Sequence, residues 1–202
     1  MNYYISDLHF GHFNILNFDN RPFSTVEEME NALISNWNSI VTNQDTVYIL
    51  GDFCWGKEPD WIRILDELKG NKVLIPGNHD LENMSAKLKN KFADIKNYKE
   101  IDDNGRTVIM CHYPILAYKH SFDPNTFMLF GHVHNNTKES HLITQFIKQI
   151  RQVHLENFDN RGQLVNVGCM MHWMNYTPRT LDYLIDKLDN GEIYKEEKIN
   201  ER

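Results

Sequence analysis

The chain has 202 residues, 41% hydrophobic and 24% charged, with a formal net charge of −7. That length builds one substantial core, the apolar share is that of a soluble globular domain, and the charge offers no basic footprint for long duplex nucleic acid. No apolar run approaches the roughly 20 residues of a membrane span. No leader pattern opens the chain, and Cys54, Cys111 and Cys169, odd in number, widely spaced and without a Cys-x-x-Cys pair, do not read as a disulfide framework, so a cytoplasmic protein with no membrane partner is expected.

Asn2 to Ser6 predicts a first strand, followed at once by Asp7-Leu8-His9. Residues two apart on a strand share a side, so Asp7 and His9 can face one ion while Leu8 turns into the core. The loop that follows carries His12 and Arg21, and the planar guanidinium of Arg21 suits a phosphate. Phe-Asp-Asn-Arg occurs at 18–21 and again at 158–161, but four residues with unmatched flanks do not make a repeat. Ser24 or Thr25 caps a helix whose apolar stripe is Met29, Leu33, Ile34, Trp37, Ile40 and Val41.

Thr46 to Leu50 is a β-rich run ending in Gly51-Asp52. Phe53 to Gly56 reads as a loop, Pro59 to Leu68 as a helix, and Lys72 to Pro76 as a strand ending in Gly77-Asn78-His79-Asp80. Pro76 cannot donate to a ladder, so pairing stops there. A polar helix is expected over Asn83 to Phe92. Asp103-Asn104-Gly105 predicts a hairpin between Ile95–Asp102 and Arg106–Cys111, and its second arm delivers His112. Thr126 to Phe130 is a buried strand ending in Gly131-His132-Val133-His134. Glu139 to Leu155 is an amphipathic helix whose stripe suits covering a sheet face or a homodimer contact, with His141 and His154 at the surface. Leu164 to Gly168 predicts a strand, Thr180 to Leu188 a helix and Glu192 to Glu196 a last strand.

Strands alternating with helices imply an α/β fold, in which ligands sit beyond the carboxyl ends of the strands. Five strand tips place Asp7, His9, Asp52, Asn78, His112, His132 and His134 at that edge. Carboxylates, imidazoles and an amide without thiolate suit Mn²⁺, Fe, Zn²⁺, Ni²⁺ or Co²⁺. Seven donors exceed what one such ion takes from protein, and two ions sharing a bridging carboxylate fit the number.

The order Asp-x-His, Gly-Asp, Gly-Asn-His-Asp, His, Gly-His-x-His resembles the calcineurin-like metallophosphoesterase superfamily, in its compact bacterial or phage form. The resemblance implies two stacked mixed β-sheets flanked by helices, a four-layer sandwich, over 1–202, with helix 139–155 as a family-variable insertion. It implies Asp7, His9 and His134 on one metal ion, Asn78, His112 and His132 on the other, and Asp52 bridging them. By the same resemblance His79 would act on the substrate; read from the residues themselves, His12 and Arg21 are candidates to contact it and Asp80 a candidate to orient His79. Manganese is the leading expectation for the two divalent ions. The implied reaction is hydrolysis of a phosphate ester by in-line attack of a hydroxide held between the ions. Two ions bring a charge of +4, and two aspartates and the hydroxide remove three, which leaves roughly +1 for an anionic substrate. A small or cyclic phosphodiester or a nucleotide is the preferred substrate. The alternatives are a phosphomonoesterase or nuclease with the same centre, and a non-catalytic metal-binding scaffold.

Overall fold

The computed structural model describes residues 1–135, 137–158 and 162–193. The first sheet holds β1 (Asn2–Ile5), β2 (Thr46–Ile49), β3 (Asn71–Leu74) and β4 (Asp94–Ile95) in that order, parallel throughout. The second holds β5 (Tyr98–Asp102), β6 (Thr107–Cys111), β7 (Thr126–Phe130) and β8 (Leu164–Asn166) in that order, and it is mixed, since only the β5–β6 hairpin is antiparallel. The sheets meet where Ser6, just past β1, bridges to Gly168, just past β8. Two sheets flanked by helices are the sandwich expected from the sequence.

Side-chain alternation decides which layer each residue joins. On the second sheet, Val108, Met110, Phe127, Leu129 and Val165 point into the core shared with the first sheet. The alternate residues Ile109, Met128, Phe130 and Leu164 point outward into a smaller cluster. A strand buried on both faces is an unbroken apolar run, which is how Thr126–Phe130 reads. The outer cluster lies under α5 (Lys138–Phe158), which buries Ile147 and packs Ile143 and Ile150 against it, while Leu142, Phe146 and Val153 stay exposed. His154 was expected at the surface. It is instead buried, stacked on the Phe122 ring at 5.0 Å.

The first sheet is covered by α2 (Val26–Ile40), α3 (Glu58–Glu67) and α6 (Leu181–Asp189). These helices bury Met29, Leu33 and Trp37, then Trp61, Ile64 and Leu65, then Leu181, Leu184 and Leu188. Thr25 caps α2 by accepting the Glu28 N–H, an interaction of about 1 kcal/mol.

Four local expectations change. A short α1 (Ile15–Phe18) occupies part of the first loop. The polar helix of 83–92 shrinks to one turn, α4 (Ala86–Lys89), capped by Ser85. A helix gains stability from an apolar face, and this turn buries only Leu88. The hairpin arm Ile95–Asp102 divides between sheets: Asp94–Ile95 pair with β3, and Tyr98–Asp102 pair with β6. Glu192 and Ile193 form no strand; the remainder of the last expected strand lies outside the described residues.

Candidate metal centre

The site lies past the carboxyl ends of β1, β2, β3, β6 and β7. The strands stop short of it: β1 ends at Ile5 and β7 at Phe130. Asp7, His9, Asp52 and His132 all have left-handed backbones, with φ of 55°, 51°, 50° and 66°. The two-residue alternation of a strand therefore does not bring Asp7 to His9 or His132 to His134. Turns held from outside do so. The Asp7 N–H donates to the Gly51 carbonyl (3.0 Å) and the His9 N–H to that of Asp52 (2.9 Å). Val133 N–H donates to the Gly131 carbonyl (2.7 Å), closing a tight turn that presents His132 and His134. Non-glycine residues held in this region cost of order 1–3 kcal/mol each, and such strain concentrates at functional sites.

Two glycines ahead of the donors are there for space. A Cβ on Gly131 would lie 1.9 Å from Ser6 Oγ and 2.6 Å from Asp7 Oδ2. A Cβ on Gly77 would lie 2.3 Å from Asp52 Oδ1.

Asp7, His9, Asp52 and His134, the first three buried and the last half-buried, form a quartet whose donor atoms all lie within 4.8 Å of one another. His9 Nε2 is 3.3 Å from His134 Nε2 and 3.6 Å from Asp52 Oδ2, and His134 Nε2 is 3.7 Å from Asp7 Oδ1. Beside it, His112 Nε2 is 3.1 Å from Asn78 Oδ1 and 3.7 Å from Asp52 Oδ2. The His132 ring packs edge-on to that of His112 at 5.2 Å. Asp52 thus faces both groups.

The protonation pattern suits cations. His134 Nδ1 is 2.8 Å from Asp19 Oδ1 and His112 Nδ1 is 2.7 Å from the Leu50 carbonyl. Each bond places the ring proton on Nδ1 and leaves the Nε2 lone pair aimed inward. His112 Nε2 and Asn78 Oδ1 are then both acceptors, and a shared cation reconciles their approach. Burial, with the charges of Arg21 and neighbouring histidines, holds His9 well below its ordinary pKa, hence neutral and able to ligate. Burial and the charge of Asp7 raise Asp52. Two carboxylates wholly removed from water at this separation call for countercharge. The residues present therefore fit a divalent metal centre.

Three expectations about neighbouring residues are corrected. Asp80 does not orient the His79 ring. Its carboxylate accepts the backbone N–H groups of Gly77 (2.8 Å), Asp52 (3.0 Å) and Phe53 (2.8 Å), tying the β2 and β3 tips together. Burial, helped by the charge of Asp52, pushes its pKa up to about 6 against the lowering effect of the Gly77 and Phe53 donors. Arg21 does not face the cleft. Its buried guanidinium bonds Asp19 and the carbonyls of Leu8 (2.9 Å) and Asp7 (2.8 Å). His12 is buried beneath the Trp55 indole, stacked at 4.1 Å and 8°, so Trp55 is the residue that meets solvent there. His79 is exposed; its N–H donates to Asp52 Oδ1 (2.9 Å) and its ring lies 5.9 Å from that of His9.

Asp19 was not foreseen. The only sequence signal was Phe-Asp-Asn-Arg at 18–21, whose aspartate and arginine form the buried pair behind His134. Residues 159–161 of the second copy lie outside the described residues.

A two-sheet α/β sandwich that gathers buried carboxylates and imidazoles past its strand ends defines a class of metal-site proteins. The family model of the calcineurin-like phosphoesterase superfamily domain matches residues 3–190, and the chain belongs to that superfamily. The chain is 32% identical over 195 residues to the uncharacterized protein MJ1445 of Methanocaldococcus jannaschii, covering 96% of this chain and 94% of that one. It is 29% identical over 191 residues to the Gene 66 protein of Mycobacterium phage L5, covering 81% of this chain and 89% of that protein. Among solved structures, the protein of unknown function AQ665 from Aquifex aeolicus superposes with a TM-score of 0.65 at 29% identity, over 93% of this chain and 98% of that one. Among the described residues, no helix is long and apolar enough to cross a membrane.

Proposed function

We propose that the protein hydrolyses small phosphate esters at a two-metal centre, with manganese as the leading metal and a phosphodiester or nucleotide as the leading substrate. The observation that carries this reading is the largely buried Asp7–His9–Asp52–His134 quartet, with its inward lone pairs. Asp7, His9 and His134 would hold one ion, Asn78, His112 and His132 the other, and Asp52 both. Bound there, divalent ions supply positive charge for the phosphoryl oxygens and acidify water.

The remaining roles belong to the chain. Asp19 and the Leu50 carbonyl fix the tautomers of His134 and His112. Asp80 fixes the backbone at Asp52 and Gly77. Asn78 is neutral and adds no negative charge against an anionic substrate. His79 stands at the mouth, where it would give a proton or a hydrogen bond to the leaving oxygen, worth roughly 10²–10⁴-fold in rate.

The test reconstitutes metal-free protein with Mn²⁺, Ni²⁺ or Zn²⁺ and assays a generic monoester and a generic diester, with Asp52→Asn as control. Metal-dependent turnover lost in Asp52→Asn supports the proposal, and the preferred ester separates phosphodiesterase from phosphomonoesterase. Weak metal binding with neither ester turned over favours the scaffold. His79→Ala should lose turnover and keep metal.

A further inference from the structure

Trp55 stands at the site mouth with no part in holding metal. It is 49% exposed, whereas Trp37, Trp61 and Trp173 are buried. An indole left half in water is unusual for this chain, and its setting is specific. Its plane is fixed from below by the parallel His12 ring, and the exposed Phe18 ring packs edge-on against His12 at 6.2 Å. On the site side its ring lies 5.0 Å from that of His79. The loop Phe53–Gly56 that carries it is anchored through the Asp80 bond to the Phe53 N–H and the Trp55 N–H bond to the Phe10 carbonyl (2.8 Å).

We propose that Trp55 is a stacking platform for a planar aromatic group on the leaving alcohol of the substrate, which makes a nucleoside phosphate ester the substrate class of this site. The inference rests on the phosphoesterase reading given above and deepens it. If His79 meets the leaving oxygen, the leaving alcohol lies beside His79, and the next surface it reaches is the indole. A π-face held in one plane costs a ligand little ordering, and every nucleobase has a matching face. The net charge of −7 works against gripping a larger anion, and the Arg21 guanidinium is buried and committed to Asp19. A short, singly phosphorylated ligand fits that balance better than a polyphosphate or a long strand. Tyr113, 47% exposed and edge-on to His132 at 4.6 Å, is a second exposed ring beside the site and serves as the comparison.

Because Trp55 is the exposed one of four tryptophans, its fluorescence reports binding without turnover. Mn²⁺-reconstituted protein is mixed with adenosine 5′-monophosphate or methyl phosphate, and emission is read in a stopped-flow mixer before turnover; inhibition of generic-ester hydrolysis gives the affinities. Adenosine 5′-monophosphate should quench the emission and bind about 5- to 140-fold tighter than methyl phosphate, the range that base–aromatic stacking supplies. Trp55→Leu should collapse that ratio toward one, and Trp55→Phe should keep part of it. Equal affinity for the two probes overturns the proposal. So does a ratio that survives in folded Trp55→Leu, or one that falls in Tyr113→Ala instead. Should Trp55→Leu fail to fold, the wild-type quench and Trp55→Phe still decide. A quench by adenosine 5′-monophosphate that methyl phosphate does not give, without any ester hydrolysis, would refute the hydrolase and keep the platform; hydrolysis without discrimination would do the reverse.

Discussion

Asp19 is the residue through which the metal centre is best probed from behind. Its carboxylate is wholly buried, with one oxygen 2.8 Å from His134 Nδ1 and the other 3.0 Å from Arg21 Nε. Asp19→Asn keeps the shape and removes the charge. Two costs follow. Losing the carboxylate behind a metal-ligating imidazole typically lowers metal affinity by about 10–100-fold. Leaving the buried guanidinium with uncharged partners alone, the Leu8 and Asp7 carbonyls, the Met29 sulfur and the Tyr176 ring, is the breaking of a buried pair, about 3–5 kcal/mol, with Asn at the low end and Ala at the high end. Against a typical total of about 5–15 kcal/mol the Asn variant should remain folded. The pH dependence should change as well. Burial works against a charged His134, but the hydrogen bond to Asp19 and the charges of Asp7 and Asp19 outweigh it and raise its pKa above 6.5. In the metal-free protein that contribution to stability is complete below 6.5, the unperturbed value, and is lost as pH rises through the raised one. Metal needs the neutral ring, so affinity climbs over the same window. In Asp19→Asn the climb should move to lower pH. Calorimetric Mn²⁺ titrations across about pH 6 to 8, with urea unfolding of the metal-free forms, measure both effects. An unchanged affinity with an unchanged pH profile would refute the orienting role of Asp19.

Gly131→Ala places a methyl group against Ser6 Oγ and Asp7 Oδ2, and should cost about 1–3 kcal/mol with weakened metal binding; a melt and a metal titration matching wild type would contradict the packing argument. Asp80→Ala leaves the buried N–H groups of Gly77, Asp52 and Phe53 without their acceptor, at about 1–3 kcal/mol each. Urea unfolding should show a loss of several kcal/mol, and a loss below about 1 kcal/mol would mean that water replaces the carboxylate. Removing metal from protein saturated at about 100 times the Kd forfeits about 2.7 kcal/mol, a fall of roughly 5–10 °C in Tm, read by scanning calorimetry with and without chelator.

The gathering of Asp7, His9, Asp52 and His134 was legible because each follows closely on the strand that delivers it, so short motifs carry it. Strand alternation alone does not bring them together. Asp7 and His9 meet through left-handed turns pinned by Gly51 and Asp52, partners more than 40 positions away in the chain. Asp80 has the same character: its nearness to His79 in sequence suggests one partner, and its actual partners include two N–H groups of the β2 tip. Trp55 read as a loop residue because nothing local says which ring lies beneath it.

The sequence by itself determined the strand–helix alternation, the hairpin at Asp103-Asn104-Gly105, the apolar stripe of α2, the presence of α3 and α6, and which residues carry lone pairs at the strand tips. These follow from periodicities of a few residues and from side-chain chemistry, both local. The tertiary structure alone decided that Tyr98–Asp102 leaves the sheet of Asp94–Ile95, that Arg21 turns inward to Asp19, and that Asp19 backs His134. Sheet membership and burial depend on contacts between residues distant in the chain, and a carboxylate becomes the partner of a histidine 115 positions away only when packing removes water from both.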